Sequence, residues 1–408
     1  MRIGIAGPIS TESIAQFVDG KSSGLPRGYA GAPLLGTLIG ALLERGHHIF
    51  SYTTSADVPL SKRVTAAGDR FKITYCPVRP RAFRFSQGHW GRAADAFRHE
   101  RAALSQAMLD DAPDLVHAHW SYEFALGALE SNLPNLVTCH DAPQVVLRYS
   151  PNPYRLVRYF MALRVLKQAQ YLTAVSPYLK QKLESYARVP ITVVPNPLPE
   201  HSAYLVASTR QYNPTHPRIA MVLNGWGALK NPQPALLAFS LLRRQIPGAQ
   251  LCIMGNDYGV GGKAESWAKS KGLTNGVQFM GPQSYPELLA KLAESDLLLH
   301  PSLEETFGMS IAEAMSLGVP VVGGQSSGAV PWVIGEGGEV TDVTSPVAMK
   351  DAMLVLLSSP VAYKSYVKTA RIRVQESFTA DRVISAYELI YQNVMHEALV
   401  RHEERLLV

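Results

Sequence analysis

Short apolar runs alternate with helical patterns almost from end to end of this chain, and the alternation occurs in two successive series. In the first, residues 2–6, 48–52, 72–76, 115–119, 136–139, 171–175 and 191–194 read as strands, and 33–44 reads as a helix closed by Arg45-Gly46. The pattern breaks at Pro195-Asn196-Pro197-Leu198-Pro199, and a polar, proline-bearing stretch follows. The second series has strand-like runs at 219–223, 250–254, 277–280, 297–300 and 319–322, separated by helices such as 232–245 and 286–294. Strands that alternate with helices build parallel sheets with helices on both faces. The expected fold is therefore α/β, with two Rossmann-like domains facing across a cleft and a ligand held at the carboxyl ends of the strands. The expected boundaries are an N-terminal domain over 1–200, a linker over 201–217 and a C-terminal domain over 218–379. A helix over about 380–408 is expected to pack back on the first domain.

Composition narrows the setting. The chain has 408 residues, 47% hydrophobic and 18% charged, as an ordinary globular protein has. Cys76, Cys139 and Cys252 are widely spaced and lack metal-ligand spacing, so they read as buried thiols in a reducing compartment. The opening residues enter a strand directly rather than a signal peptide, and the apolar run 30–43 is too short to span a membrane. A cytoplasmic protein is expected. The net charge of +6 is uneven: residues 1–201 hold 22 Lys and Arg against 15 Asp and Glu, and the remainder holds 17 against 18. The basic N-terminal half could face anionic lipid at the inner membrane surface or an anionic acceptor, although a solvated basic surface explains it as well. Residues 79–101 interleave six arginines with Phe83, Phe85, Trp90 and Phe97, a pattern shared by membrane surfaces and by a plain loop leading into an amphipathic helix.

The segment 301–315 carries most of the chemistry. It follows a strand, and a helix should begin near Gly308. The free N–H groups of Phe307, Gly308 and Met309 would then point at the cleft and, with the helix dipole, cradle a pyrophosphate. Glu305 precedes this helix and Glu313 lies more than a turn inside it, so the two carboxylates could hold separate hydroxyl-bearing parts of one extended ligand. His117 and His119, alternating along one strand, are read as facing opposite sides, which would keep them from sharing a metal.

Glu305 and Glu313, separated by seven residues that include Phe307-Gly308, with Glu313-Ala314-Met315 and then Gly318-Val319-Pro320-Val321-Val322, resemble the signature of glycosyltransferase family 4. Other segments fall in the matching order: Gly46-His47, Asp114-Leu115-Val116-His117-Ala118-His119, Val137-Thr138-Cys139-His140-Asp141, Val193-Val194-Pro195-Asn196, Lys230-Asn231-Pro232 and Ile253-Met254-Gly255-Asn256. The resemblance implies the GT-B fold and a retaining, metal-independent transfer of a sugar from a nucleotide diphosphate to a hydroxyl of a glycan or lipid-linked acceptor, in cell-surface polysaccharide biosynthesis. It implies catalytic roles for Lys230 on the leaving diphosphate, Glu305 near the donor sugar and His140 on that sugar. Donor binding is implied for Glu313 on the ribose and for Phe307, Gly308, Met309, Gly31 and Gly255. No cofactor beyond the nucleotide-sugar co-substrate, no metal and no nucleic-acid partner is expected. Asn231 and Pro232 look like the N-cap and first turn of a helix behind Lys230.

Two departures stand out. Gly225 occupies the position of a second phosphate-binding arginine, and the early glycine pair becomes Gly28-Tyr29-Ala30-Gly31. An epimerase or phosphorylase of the same fold, a glycosidase using Glu305 and Glu313, and an inactive nucleotide-sugar-binding homologue remain the alternatives.

Overall fold

Two parallel sheets organise the chain, each assembled around its own first strand. The computed structural model describes residues 1–20, 22–29, 33–86, 88–199 and 212–406, with side chains through 400. It divides into two units, Met1–Pro199 with Ala380–Val408, and Glu200–Thr379. Most of the expected linker, 201–211, lies outside the described residues.

The sheet of the first unit has the order β3-β4-β2-β1-β5-β6-β7-β8. Its strands are β1 (Arg2–Ala6), β2 (His48–Ser55), β3 (Val64–Gly68), β4 (Phe71–Pro77), β5 (Leu115–His119), β6 (Asn135–Cys139), β7 (Leu172–Ala174) and β8 (Ile191–Val193). All neighbours pair in parallel except β3 with β4. Central strands such as β5 are buried throughout, because helices cover both faces of the sheet. The helix Pro33–Glu44 ends where Gly46 turns left-handed (φ +83°), with the Gly46 and His47 amides closing on Leu43 and Leu42.

The helix Ala380–Leu406 packs on β5, β6 and the helix Pro33–Glu44. Its contact is polar at the centre: His117 lies between the Tyr391 hydroxyl (2.8 Å from Nδ1) and Thr138 (2.6 Å from Nε2), and Thr138 also reaches Tyr387 at 3.2 Å. At the edge, Glu388 accepts from both Arg45 and His47.

His117 and His119 share a face of β5, contrary to the reading that set them on opposite sides; residues two apart along a strand point the same way. Their ring centroids are 4.1 Å apart, and His119 Nδ1 lies 3.0 Å from His140 Nε2. Among the described residues, no group of three or more His, Cys, Asp or Glu could hold a metal ion.

The second sheet, β11-β10-β9-β12-β13-β14, is parallel throughout. Its strands are β9 (Arg218–Val222), β10 (Gln250–Met254), β11 (Val277–Gly281), β12 (Leu297–His300), β13 (Val321–Gly324) and β14 (Gly338–Thr341). From β9 the chain builds outward through β10 and β11, then returns to the other side of β9 to lay down β12. The carboxyl ends of β9 and β12 are therefore adjacent, at the one place where successive connections leave in opposite directions. Strand β13 starts at Val321 rather than at 319, since Pro320 has no N–H to give the ladder and supplies only its carbonyl, to Leu298.

Burial favours the neutral imidazole at three histidines of the first unit. It pushes His117 and His140 down to about 3, and His119 well below its usual value. The unfolded chain therefore binds protons between pH 6.5 and about 3 that the folded unit does not, so stability present above pH 6.5 is lost as the pH falls. Each such histidine contributes a slope of about 1.4 kcal/mol per pH unit. Urea midpoints should fall steeply from pH 7 to pH 5, and less steeply for His117→Gln; equal slopes in the two proteins would remove His117 from this account.

Candidate active site

The loops leaving β9 and β12 meet at the reversal point of the second sheet. After β9 the chain turns at Gly225, which has φ +88°, donates its amide to Asn256 (3.1 Å) and accepts the Tyr258 hydroxyl (3.2 Å). It then forms a short 3-10 turn, Ala228–Lys230, before the helix Pro232–Gln245. Asn231 holds the N-cap position with φ +49°, but its side chain does not cap. Its amide instead donates to the carbonyls of Pro301 (3.1 Å) and Val343 (2.7 Å), stitching the first loop to the second. The Leu303 amide adds a bond to the Leu229 carbonyl at 2.8 Å.

These ties bring Lys230 and Glu305 into contact. Lys230 Nζ donates to Glu305 Oε1 at 2.6 Å, and both side chains are largely covered. The Glu305 backbone is pinned in turn, its amide on Ser327 and its carbonyl under the Ala329 amide (2.8 Å). His300, the last residue of β12, places Nε2 at 3.4 Å from the same carboxylate oxygen, and Ser310 sits 3.5 Å from its Nδ1. Burial would raise the Glu305 pKa, but the His300 ring and the Lys230 charge outweigh it and hold the group at about 2.

The helix Met309–Ser316 starts beside this pair. Gly308, its N-cap, has φ +92°, and a Cβ there would lie 2.9 Å from Ile311 Cδ1, so glycine answers both the backbone angle and the crowding. The Gly308 carbonyl accepts from Ile311 and Ala312, while the amides at the start of the helix have no acceptor within it. The Phe307 ring points away from this opening. It is buried edge-on against Trp332 and Phe378, with Arg373 over both of those rings. Only the backbone of Phe307 is thus left to meet a ligand.

Glu313, one turn in, is buried rather than exposed. Burial raises its pKa to about 7, and a hydrogen bond from the Tyr285 hydroxyl holds it lower than burial alone would. Tyr285 opens the helix Tyr285–Ala293, which packs on Met309–Ser316.

Gly255 answers to packing. It has φ +122°, and a Cβ would fall 1.8 Å from the Leu223 carbonyl oxygen, so the ends of β9 and β10 can approach only through glycine. Gly31 lies outside the described residues. His140 belongs to the first unit, where it directly follows β6, stacks on Trp120 (4.1 Å, 26°) and touches His119. Trp120 is held in a left-handed conformation (φ +64°) to make that stack. His300, Tyr285 and Trp120 went unnoticed in the sequence. His300 and Trp120 could have been flagged by position alone, as the residues at or just beyond a strand's carboxyl end.

The two carboxylates should titrate apart. In a protein carrying 13C-labelled glutamate, the Glu305 resonance should stay flat from pH 5 to pH 8 while that of Glu313 inflects near 7; Tyr285→Phe should move the Glu313 inflection upward. Coincident titration below pH 5 would refute this environment for Glu313.

Comparisons with known proteins agree with this geometry. Residues 34–201 match the family described as Glycosyltransferase Family 4, and residues 210–373 match Glycosyl transferases group 1. N-acetyl-alpha-D-glucosaminyl L-malate synthase of Bacillus anthracis is 25% identical over 382 residues, 90% of this chain and 95% of the relative. Among solved structures, sucrose-phosphate synthase from Thermosynechococcus elongatus superposes with a TM-score of 0.71 at 17% identity, covering 97% of this chain and 99% of the other. Anabaena HepE, solved with UDP and glucose, gives 0.66 at 15% identity, covering 96% and 99%. The fold is GT-B, and the chain belongs to glycosyltransferase family 4.

Proposed function

We propose that this glycosyltransferase takes its sugar from a nucleotide diphosphate and transfers it, with retention of anomeric configuration, to a hydroxyl of a glycan or lipid-linked acceptor in cell-surface polysaccharide biosynthesis. The observation that carries the reading is the meeting of Lys230, Glu305 and the start of the helix Met309–Ser316 at the reversal point of the second sheet. A cation and unpaired backbone amides at one strand end suit a departing diphosphate. HepE, a protein of the same fold, was solved with UDP and glucose, which supports a nucleotide-sugar donor here.

In this reading the bond between the anomeric carbon and the diphosphate oxygen breaks as the acceptor oxygen bonds that carbon. The acceptor proton passes to the leaving phosphate on the same face. Lys230 and the Phe307, Gly308 and Met309 amides stabilise the charge that develops on the diphosphate. Glu305 orients the donor sugar, Glu313 accepts from the ribose hydroxyls, and His140 contacts the sugar from the first unit. Gly255 keeps the floor of the donor site close, and Gly31 is assigned to donor binding as well. No metal or further cofactor is assigned a role. Catalysis then rests on charge stabilisation and on holding the two substrates in register.

Glu313 must be ionised to accept two hydroxyl donors well. With its pKa at about 7, donor affinity should rise from pH 6 to pH 8. The deciding experiment is calorimetric titration with UDP, GDP and ADP, with and without EDTA. One nucleotide should bind selectively, Glu313→Ala should weaken it at least about tenfold, in line with the loss of a charged hydrogen bond, and EDTA should change nothing. Absence of binding by all three would overturn the donor site.

Turnover tests the second half of the reading. Lys230→Ala should retain its fold and lose about a hundredfold or more in kcat, as expected for removing a charge stabiliser from a transition state. Near-normal kcat would remove Lys230 from the mechanism, and donor conversion without any acceptor would instead identify an epimerase.

A further inference from the structure

The described residues between 79 and 97 of the first unit make a loop, anchored at its base and apolar at its tip, that leads into the helix Arg98–Asp111. Arg79 is buried, and its guanidinium donates to Glu100 at 3.0 and 2.7 Å, to Asp95 at 3.0 and 2.7 Å and to the Trp90 carbonyl at 3.1 Å. Arg92 closes the base by donating to the Arg79 carbonyl at 2.6 Å, and its own amide bonds the Arg81 carbonyl at 2.9 Å. Gly91 lies so close to Ala82 that a Cβ would come within 2.5 Å of its backbone. Nearer the tip, the backbones of Ser86 and His89 exchange hydrogen bonds of 2.8 and 3.1 Å.

This anchorage uses up the negative charge of the segment 79–101. Asp95 and Glu100 are the only acidic residues there, and both are taken by Arg79. Arg81, Arg84 and Arg98 are exposed and form no ion pair among the described residues. Between them three large rings face solvent: Phe83, Phe85 at 61% exposure and Trp90 at 65%. Phe85 and Trp90 stand edge to face, with centroids 5.6 Å apart. The exposed tip thus offers aromatic surface and positive charge, and the one exposed carboxylate of the segment, Asp95, is paired with Arg79.

We propose that this loop docks the protein on an anionic lipid bilayer, its rings entering the headgroup region and its arginines meeting lipid phosphates. Aromatic side chains settle at that depth, and arginines near an anionic surface are attracted to it. The basic excess of residues 1–201, 22 cations against 15 anions, supplies the longer-range attraction. A protein partner is a poorer match, because a stable interface takes roughly 800 Å² on each side and three rings on one loop fall well short. The inference bears on the proposed lipid-linked acceptor, but it stands on the loop alone.

Co-sedimentation of the full chain with phosphatidylcholine vesicles, with and without phosphatidylglycerol, tests it. Wild type should sediment with the anionic vesicles only, less so at high salt, with a blue shift of tryptophan fluorescence that Trp90→Phe removes. Phe85→Ser with Trp90→Ser, and separately Arg81→Gln with Arg84→Gln, should each weaken partitioning at least about tenfold. Both double variants should bind nucleotide as wild type does, which keeps this outcome separate from that of the donor site. Failure of wild type to sediment, equal binding to neutral vesicles, or full binding by either variant would overturn the proposal. So would self-association of the unmodified protein, abolished by the aromatic variant, in the absence of vesicle binding.

Discussion

The contact between Lys230 and Glu305 organises the loops at the reversal point of the second sheet. An ammonium and a carboxylate 2.6 Å apart and largely out of water neutralise one another, so neither needs a ligand for the loops to be stable. Everything nearby serves to hold the two in reach: Asn231 spans to Pro301 and Val343, Leu303 bonds Leu229, and Ser327 and Ala329 grip the Glu305 backbone. A diphosphate arriving at Lys230 competes with a carboxylate already in place. In the proposed reaction, Glu305 would be freed to accept from sugar hydroxyls at the moment the lysine finds a new partner.

The pair also explains how two glutamates eight residues apart take on different characters. Glu305 has a cation and an imidazole beside it and stays ionised far below neutrality. Glu313 has burial and one tyrosine hydroxyl, and sits near neutrality. Acid and base roles in a glycosidase would also need carboxylates whose titrations are pushed apart. A nucleophilic carboxylate must be open to its sugar, however, and here the ionised member is engaged by Lys230.

Much of the framework was legible because parallel strands buried on both faces leave largely apolar runs, as in β9 and β12. Two of the four edge strands were not. In β3, Val64–Gly68 mixes small residues with one exposed face, and β14 holds a single large apolar side chain, Val340, which is itself exposed. The motif around Glu305 marked the loops after β9 and β12 by pattern, but Asn231 looked like a cap when its side chain actually fastens two loops. Tyr285 could not be read at all, since its relevance lies in a partner far along the chain, Glu313. The facing of His117 and His119 was misjudged by ignoring the two-residue period of a strand. Gly255 shows a different limit: a glycine can recur in a motif because two backbones must touch.

The polar contact of His117 and Thr138 with Tyr391 and Tyr387 joins the opening half of the chain to its final helix. The first unit thus cannot finish its interior until the residues around Tyr387 and Tyr391 have been made. During synthesis the second unit has all its residues available first, while the earlier one waits with buried hydroxyls and imidazoles still lacking their partners. The order of completion on the ribosome is the reverse of the order of translation, and a chain cut short near residue 379 would hold a whole second sheet beside an unfinished first.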